Sequence, residues 1–240
     1  MNIEVFEKEI RNKMKKINIE LNDKQIIKFY NYMKLLIEWN SKINLTAITE
    51  PQEIILKHFV DSVTIYQEIK GKENMIDIGT GAGFPGIPIS ILDKDINIVL
   101  VDSLNKRISF LKEVIKELSL ENIEVIHSRV EDLAIKKEYR EKFDVVTSRA
   151  VAGLATLSEY MLPFCNIKGR CILMKGSKIQ EELSIGEKAI KTLGGKIKNI
   201  NKIKLPDTNM ERNIIIIEKE KNTPKEYPRK AGEASRKPII

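Results

Sequence analysis

The 240-residue sequence predicts an α/β fold: a doubly wound, mostly parallel sheet that ends in an antiparallel hairpin and follows a helical extension. Three observations predict it. Residues 1–70 carry apolar side chains at helical spacing, short apolar runs then alternate with amphipathic segments, and two final runs follow each other with no helix between them. We therefore divide the chain into a helical extension at 1–70, an α/β core at 71–220 and a C-terminal tail at 221–240.

The N-terminal helices are indicated by their start signals. Asn22, with Gln25 three residues later, resembles a capping box, and Pro51 suits the first turn of another helix. Apolar side chains follow these starts at helical spacing: Ile26, Phe29, Tyr30, Met33, Leu36 and Ile37, and then Ile54, Ile55, Phe59, Val63 and Tyr66. These faces predict helices that pack against a core.

The strands of the core are predicted from short apolar runs. These runs are residues 75–78, 96–101, 123–126, 143–146 and 171–174. Parallel neighbours need a crossover, and residues 104–118 show the spacing of a crossover helix. Gly194 and Gly195 end the last long helix, and the runs 197–205 and 213–218 after it must pair as antiparallel neighbours.

The charge balance favours an anionic partner. The chain has 41 Lys and Arg against 34 Asp and Glu, a net charge of +7. The tail is rich in basic residues, and its three prolines exclude a long helix. No apolar run approaches the ~20 residues of a membrane span. The two cysteines lack the spacing of a metal site and fit a reduced, cytoplasmic protein.

A glycine-rich loop follows the first strand. Asp77 and Ile78 lead directly into Gly79-Thr80-Gly81-Ala82-Gly83. Such a loop lets the backbone approach a ligand at the carboxyl end of a strand, where doubly wound folds place their ligands. The predicted binding residues here are Gly79, Thr80, Gly81 and Gly83.

Two ligands compete for this loop. Gly81-x-Gly83-x-x-Gly86 matches the dinucleotide fingerprint, which alone is a weak signal. Asp77 before the loop, the early start at Gly79 and the terminal hairpin instead favour the class I S-adenosylmethionine-dependent methyltransferases, which have a Rossmann-like seven-stranded sheet. We therefore expect S-adenosylmethionine as the cofactor. A structural turn that binds no ligand is the remaining alternative.

Acidic residues after the next two strands could complete the cofactor site. Asp102 ends the second strand, where a carboxylate can accept hydrogen bonds from both ribose hydroxyls. It could instead cap the helix that follows. Val130 and Glu131 follow the third strand, near the expected adenine, although Glu131 could equally be a surface charge.

The methyl acceptor should approach after the fourth strand, at residues 147–150. No Asn/Asp-Pro-Pro-Tyr and no Pro-Cys follows that strand, which disfavours exocyclic amino groups and pyrimidine C5 as acceptors. Guanine N7 stays open because it carries no proton and needs no general base. For Arg149 we expect a positioning role, toward the cofactor carboxylate or toward RNA. The alternative is a solvated surface arginine.

Several sequence blocks, in order, resemble the bacterial 16S ribosomal RNA (guanine-N7) methyltransferase family G, also called glucose-inhibited division protein B. The blocks are 39–48 (WNSKINLTAI), 57–62 (KHFVDS), 77–88 (DIGTGAGFPGIP), 101–107 (VDSLNKR), 148–152 (SRAVA) and 228–232 (PRKAG). Together they extend over nearly the whole chain.

The resemblance implies S-adenosylmethionine-dependent methylation of guanine N7 in the 530-loop region of 16S RNA. It places the cofactor against Gly79, Phe84, the Val130–Glu131 pair and Arg149. It names 16S RNA or the small ribosomal subunit as the partner, with no metal and no membrane. The sequence departs from the family at 233–236, where Glu-Ala-Ser-Arg replaces the usual Thr-Pro-x-Lys. The tail residues expected to contact RNA are Arg229, Lys230, Arg236 and Lys237.

One histidine–aspartate pair resembles a catalytic acid–base pair. His58 lies three residues before Asp61, a spacing that brings two helical side chains together. We favour a structural or RNA-contacting pair, because transfer to N7 needs no base. Two other functions stay open at this point: a methyltransferase for a small molecule or protein, and a non-catalytic RNA-binding assembly factor.

Overall fold

A computed structural model describes residues 1–149, 152–177 and 179–240. Ala150 and Val151, which belong to the block at 148–152, lie outside the described residues. The N-terminal part is helical, as predicted. Its elements are α1 (Ile3–Lys15), α2 (Asp23–Ile43), α3 (Pro51–Ile54), a π-helical turn (Ile55–Val60), α4 (Asp61–Val63) and a 3-10 turn (Tyr66–Glu68).

The core is a seven-stranded sheet with helices in its connections. Its strands are β1 (Asn74–Ile78), β2 (Asn97–Asp102), β3 (Ile123–His127), β4 (Phe143–Arg149), β5 (Cys165–Lys175), β6 (Gly195–Lys204) and β7 (Glu211–Lys219). Its helices are α5 (Gly86–Leu92), α6 (Asn105–Glu117), α7 (Val130–Ala134), α8 (Leu154–Met161) and α9 (Gln180–Thr192), and a short α10 (Glu233–Arg236) lies in the tail.

The strand order is β3-β2-β1-β4-β5-β7-β6. Strands β1 to β5 pair in parallel, and β7 pairs antiparallel with both β5 and β6. The predicted parallel sheet and closing hairpin are therefore confirmed. The chain order reverses at β1, which pairs with β2 on one side and β4 on the other. A crevice is expected at the carboxyl ends of these strands.

The N-terminal helices pack on one face of this sheet. Asn22 and Gln25 form the predicted capping box, and Pro51 begins α3. The buried face of α2 needs one correction: Tyr32 is fully buried, whereas Tyr30 is half-buried and Ile37 is exposed. Tyr32 lies three residues after Phe29, so the same helical spacing also includes it. The helices share one apolar core with α5, α6 and the adjoining sheet face.

The tail packs along the core by its backbone. The Arg140 guanidinium donates to the carbonyls of Thr223, Pro224 and Tyr227 at 2.8–3.2 Å. The fully buried Lys219 donates to the Leu162 carbonyl at 2.6 Å and to the Thr223 hydroxyl. As its prolines predict, the tail contains only the one-turn helix α10 in its described residues. None of the described helices is both long and apolar enough to cross a membrane.

Candidate cofactor and acceptor sites

A cavity of about 670 Å³ opens at the carboxyl ends of β1, β2 and β4, and we call it the large cavity. Cavities of this size hold organic ligands and cofactors. Its lining is Leu45, Thr46, His58, Gly79, Thr80, Gly81, Ala82, Phe84, Val101, Asp102, Ser103, Arg107, Ser128, Arg129, Val130, Glu131, Arg149 and Tyr160. All of the predicted cofactor residues except Gly83 belong to this lining.

Asp77 lies behind the glycine loop and holds both ends of it. Its Oδ2 accepts hydrogen bonds from the Thr80 hydroxyl at 2.7 Å and from the Gly86 backbone N–H at 3.0 Å. Burial raises the pKa of Asp77 to about 6. Its Oδ1 is buried and has no hydrogen-bond partner among the described residues. The acidic residue before the loop therefore fixes the shape of the loop and has one unsatisfied acceptor.

Asp102 is not the N-cap of α6, which is Leu104, but it ties the β2–α6 turn to the glycine loop, and its ribose role stays a prediction. Its Oδ1 accepts from the Leu104 backbone N–H at 2.9 Å, next to the start of α6. Its Oδ2 accepts from the Gly81 backbone N–H at 3.0 Å and from Arg107 Nη1 at 3.1 Å. A carboxylate offers about four acceptor directions, so at least one is free for a ligand. Another becomes free if the Arg107 side chain, which is 33% exposed, turns away.

Two glycines of the loop have different roles. Gly81 has a φ of +63°, and a Cβ added there would meet no atom within 4 Å, so its backbone faces open space. Gly83 has a φ of +95°, and a Cβ there would lie 2.5 Å from Ile87 Cδ1 and 2.8 Å from the Tyr32 hydroxyl oxygen. The structure thus places Gly83 outside the cavity lining, where it permits close packing of the loop on α2 and α5.

An aromatic stack that the sequence analysis missed supports the loop from the N-terminal helices. The Tyr32 hydroxyl donates to the Ala82 carbonyl, and the Tyr32 and Phe84 ring centroids lie 5.4 Å apart. The His58 ring stacks on Phe84 at 4.4 Å with an interplanar angle of 7°. The helical extension therefore helps to shape the large cavity.

Arg149, at the end of β4, is the centre of a hydrogen-bond network. Its Nη1 donates to the Lys57 carbonyl at 3.1 Å and lies 3.7 Å from Asp61 Oδ2, and its Nη2 lies 3.1 Å from His58 Nδ1. The guanidinium carbon is 5.0 Å from the Phe84 ring centroid. With its side chain only 16% exposed, Arg149 is not the solvated surface arginine of the alternative interpretation.

These contacts fix the tautomer of His58. A guanidinium only donates, so His58 Nδ1 must accept from Arg149, and Nε2 carries the proton and donates to the Thr46 hydroxyl at 2.9 Å. Burial, aided by the charges of Arg149 and Lys57, lowers the pKa of His58 to about 3. His58 and Asp61 each contact Arg149. Neutral His58 has no free lone pair with which to act as a general base.

We expect His58 to stay neutral through the physiological range. In NMR spectra of ¹³C,¹⁵N-histidine-labelled protein, its ring signals should not move between pH 8 and pH 5. Because the folded pKa lies below the unfolded value of about 6.5, His58 adds stability above pH 6.5 that is lost as the pH falls toward 3. His127 is the second of the two histidines, so a His127→Gln variant assigns the signals. A titration of His58 with a midpoint near pH 6.5 would contradict this prediction.

A smaller cavity of about 370 Å³ adjoins the large one, and we call it the small cavity. His58 and Arg149 line both cavities. The rest of the small cavity is lined by Ile48, Lys57, Asp61, Met174, Lys175, Gly176 and Arg212. Two ligands could therefore meet at His58 and Arg149, one from each cavity.

The tail reaches the rim of the large cavity. The Gly232 backbone N–H donates to Glu131 Oε1 at 2.9 Å. Glu131 is therefore not a free surface charge, because one of its carboxylate oxygens is already hydrogen-bonded to the tail. Arg229 donates through its backbone N–H and its guanidinium to Glu159, which is 1% exposed. The guanidinium of Arg229 is thus engaged within the fold. The other predicted RNA contacts are exposed at the surface: Lys230, Arg236 and Lys237.

Comparisons with known proteins agree with this architecture. The family model described as rRNA small subunit methyltransferase G matches residues 25–215. Proteins named ribosomal RNA small subunit methyltransferase G are 54% identical in Desulforamulus reducens, over 94% of this chain and 95% of that protein, and 50% identical in Clostridium perfringens, over 93% and 94%.

Solved structures support the fold. A SAM-dependent methyltransferase from Aquifex aeolicus superposes with a TM-score of 0.55 at 15% sequence identity, over 72% of this chain and 96% of that chain. At this identity the likeness concerns the fold alone. Within residues 1–149, 152–177 and 179–240, no three His, Cys, Asp or Glu side chains are grouped as metal ligands.

Proposed function

This chain belongs to the rRNA small subunit methyltransferase G family, and from that premise we propose that it methylates N7 of a guanine in the 530-loop region of 16S ribosomal RNA. The family supports S-adenosylmethionine-dependent methylation of ribosomal RNA as the activity. The choice of guanine N7 depends on the acceptor side of the site.

The observation that carries the N7 assignment is the state of His58. Its Nδ1 lone pair is engaged by Arg149, and the imidazole lies between the two cavities. An acceptor with a proton to lose could not pass that proton to His58, because the basic nitrogen of His58 is already engaged. N7 of guanine is an aromatic nitrogen with a free lone pair, so the arrangement suits it.

The large cavity has the chemistry that S-adenosylmethionine requires. Gly79 and Gly81 expose backbone for close approach, and Asp102 retains acceptor capacity for ribose hydroxyls. When bound, S-adenosylmethionine supplies an electrophilic methyl group on a positively charged sulfur. Val130 and Glu131 would contact the adenine end, next to α7.

Positioning is the main task of the protein in such a displacement, since the cofactor is already reactive. Arg149 lies where the two cavities meet, and its planar guanidinium holds His58 against Phe84. Positive charge moves from sulfur to the base during transfer, so a nearby cation would not favour that transfer. We therefore assign Arg149 an orienting role toward the cofactor carboxylate or the RNA.

A methyl-transfer assay with radiolabelled S-adenosylmethionine tests this function. Small ribosomal subunits, naked 16S RNA and total cellular protein are offered separately, each from cells that lack the methylation. We expect label in RNA, at a guanosine that borohydride and aniline cleave as 7-methylguanosine. A transcript with 7-deazaguanosine at that position should accept no label. Label in protein or in small molecules would support the second function considered, and no transfer at all would support a non-catalytic assembly factor.

The exposed cations of the tail should contribute to RNA binding. If Lys230, Arg236 and Lys237 contact phosphates, their triple alanine variant should lower the log–log salt slope of binding by about 2, since each contact contributes ~0.7–0.9. Binding is measured by filter retention of 16S RNA between low and moderate salt. The matched control changes three exposed lysines on α2 and α6: Lys24, Lys112 and Lys116.

Arg229 provides a separate test of the tail. Because Glu159 already holds its guanidinium, Arg229→Ala should loosen the tail and lower the melting temperature. The log–log salt slope of RNA binding should change less in this variant than in the triple variant. Equal slopes for the wild type and the triple variant would remove the tail from the RNA-binding surface.

A further inference from the structure

Asp61 is a buried charge that the proposed function does not use. It is 3% exposed, and yet it lines the small cavity. Arg212 Nε lies 3.2 Å and 3.1 Å from its two carboxylate oxygens, and Arg149 Nη1 lies 3.7 Å from Oδ2. These contacts hold the carboxylate in one orientation.

The acceptor capacity of Asp61 is not exhausted by these arginines. Arg212 contributes a single N–H, shared between the two oxygens, and Arg149 is too distant for a good hydrogen bond. A carboxylate can accept about four hydrogen bonds. Because Arg212 Nε lies between the two oxygens, the remaining acceptor directions point to opposite sides. Oδ1, which has no contact with Arg149, can accept one further donor from a ligand in the small cavity.

The small cavity also has apolar surface for a planar group. Ile48 and Met174 belong to its lining, together with the backbone of Gly176. A flat heterocycle could be held between such side chains while its polar edge is recognised by the carboxylate. The cavity of about 370 Å³ has room for a single purine base.

We propose that Asp61 is the residue that selects guanine, by accepting a hydrogen bond from the 2-amino group of the base in the small cavity. Guanine is the RNA base that carries an amino group at C2. Adenine has only a hydrogen there, and pyrimidines lack a fused second ring. The proposal rests on the proposed function, because it places the accepting base in this cavity.

The shape of guanine agrees with the position of Asp61. N7 lies on the side of the purine opposite the 2-amino group. A base held by that edge at Asp61 can direct N7 toward His58 and Arg149, where the large cavity begins. The base gains positive charge on methylation, and a carboxylate on its edge has the favourable sign. Arg212 acts as the positioning residue that orients this carboxylate.

The test couples Asp61 to the 2-amino group. Splinted ligation is used to place inosine in 16S RNA at the position of the guanosine that the wild type methylates. Inosine keeps N7 and N1–H and lacks only the 2-amino group. We expect the kcat/KM of the wild type to fall at least about tenfold, as for loss of one hydrogen bond to a charged group. In Asp61→Ala the ratio of kcat/KM for the guanosine substrate to kcat/KM for the inosine substrate should fall close to one. A ratio within one variant does not depend on the fraction of active protein.

Asp61→Asn keeps the size of the side chain and decides the question if the alanine variant does not fold. It should give a ratio between those of the wild type and of the alanine variant. The control is Asp207→Ala, a surface carboxylate paired with Lys16, whose ratio should equal that of the wild type. A ratio that stays tenfold or more in both Asp61 variants, or a wild type indifferent to inosine, would overturn the proposal.

Failure of the proposed function gives a different result. In that case the wild type would not form 7-methylguanosine in any RNA, and no ratio could be measured. If the wild type forms 7-methylguanosine and the ratio is insensitive to Asp61, the function stands and the selection of guanine by Asp61 fails.

Discussion

Replacing Arg149 by alanine or by lysine should lower single-turnover methylation at least about tenfold, equivalent to about 1.4 kcal/mol of lost barrier reduction. Arg149 donates in two directions at once, to the Lys57 carbonyl and to His58 Nδ1, and it faces Phe84. A lysine ammonium cannot reproduce this planar, branched set of donors. In both variants His58, which lies between the two cavities, should therefore shift from its position.

The measurement is rapid-quench methylation of RNA under enzyme excess, below the melting temperature of each variant. Arg170→Lys is the matched control, since its side chain is also 16% exposed and pairs with Glu73 away from both cavities. It should lower the melting temperature without lowering turnover. Calorimetric titration then separates the two roles of Arg149: weaker cofactor binding indicates the carboxylate, and intact binding indicates RNA. Normal turnover in both variants would remove Arg149 from the site.

Asp102→Ala should weaken S-adenosylmethionine binding by about 1–3 kcal/mol, as expected for hydrogen bonds to a charged acceptor. The substitution removes the acceptor for the ribose and also releases the Gly81 N–H, so the loop loses its tie to β2. The readouts are calorimetric titration and the thermal shift that S-adenosylmethionine produces, because a ligand bound only by the native state stabilises it. NAD should produce no shift.

Asp144→Ala is the control for Asp102. Its carboxylate also accepts from a backbone N–H, that of Asn74, but at the amino end of the strands. It should lower stability and leave the affinity for S-adenosylmethionine unchanged. Unchanged affinity in Asp102→Ala would instead exclude ribose binding and would leave Asp102 as a structural residue of the β2–α6 turn.

Much of this fold follows from local sequence signals. The five parallel strands, the hairpin of β6 and β7 and the capping box at Asn22 are present where the apolar periodicity and start signals predict them. The π-helical turn at Ile55–Val60 could not be predicted, because helical periodicity does not distinguish it from an α-helix. It changes the spacing of the side chains within it and after it, among them His58 and Asp61.

The candidate site was partly predictable, for a physical reason. Residues that line the cavity at strand ends are adjacent to recognisable strands, so Gly79, Asp102 and Arg149 could be identified from position alone. The contacts of Tyr32 and Glu159 join segments far apart in the chain. No local pattern reports such pairs.

The contact between Gly232 and Glu131 has a consequence for the order of folding. The two residues lie 101 positions apart in the chain, and Arg229 and Glu159, which fasten the tail beside them, lie 70 apart. Closing loops of this length costs chain entropy before the contacts can offset it. We therefore expect this part of the rim of the large cavity to form after the β-sheet has assembled.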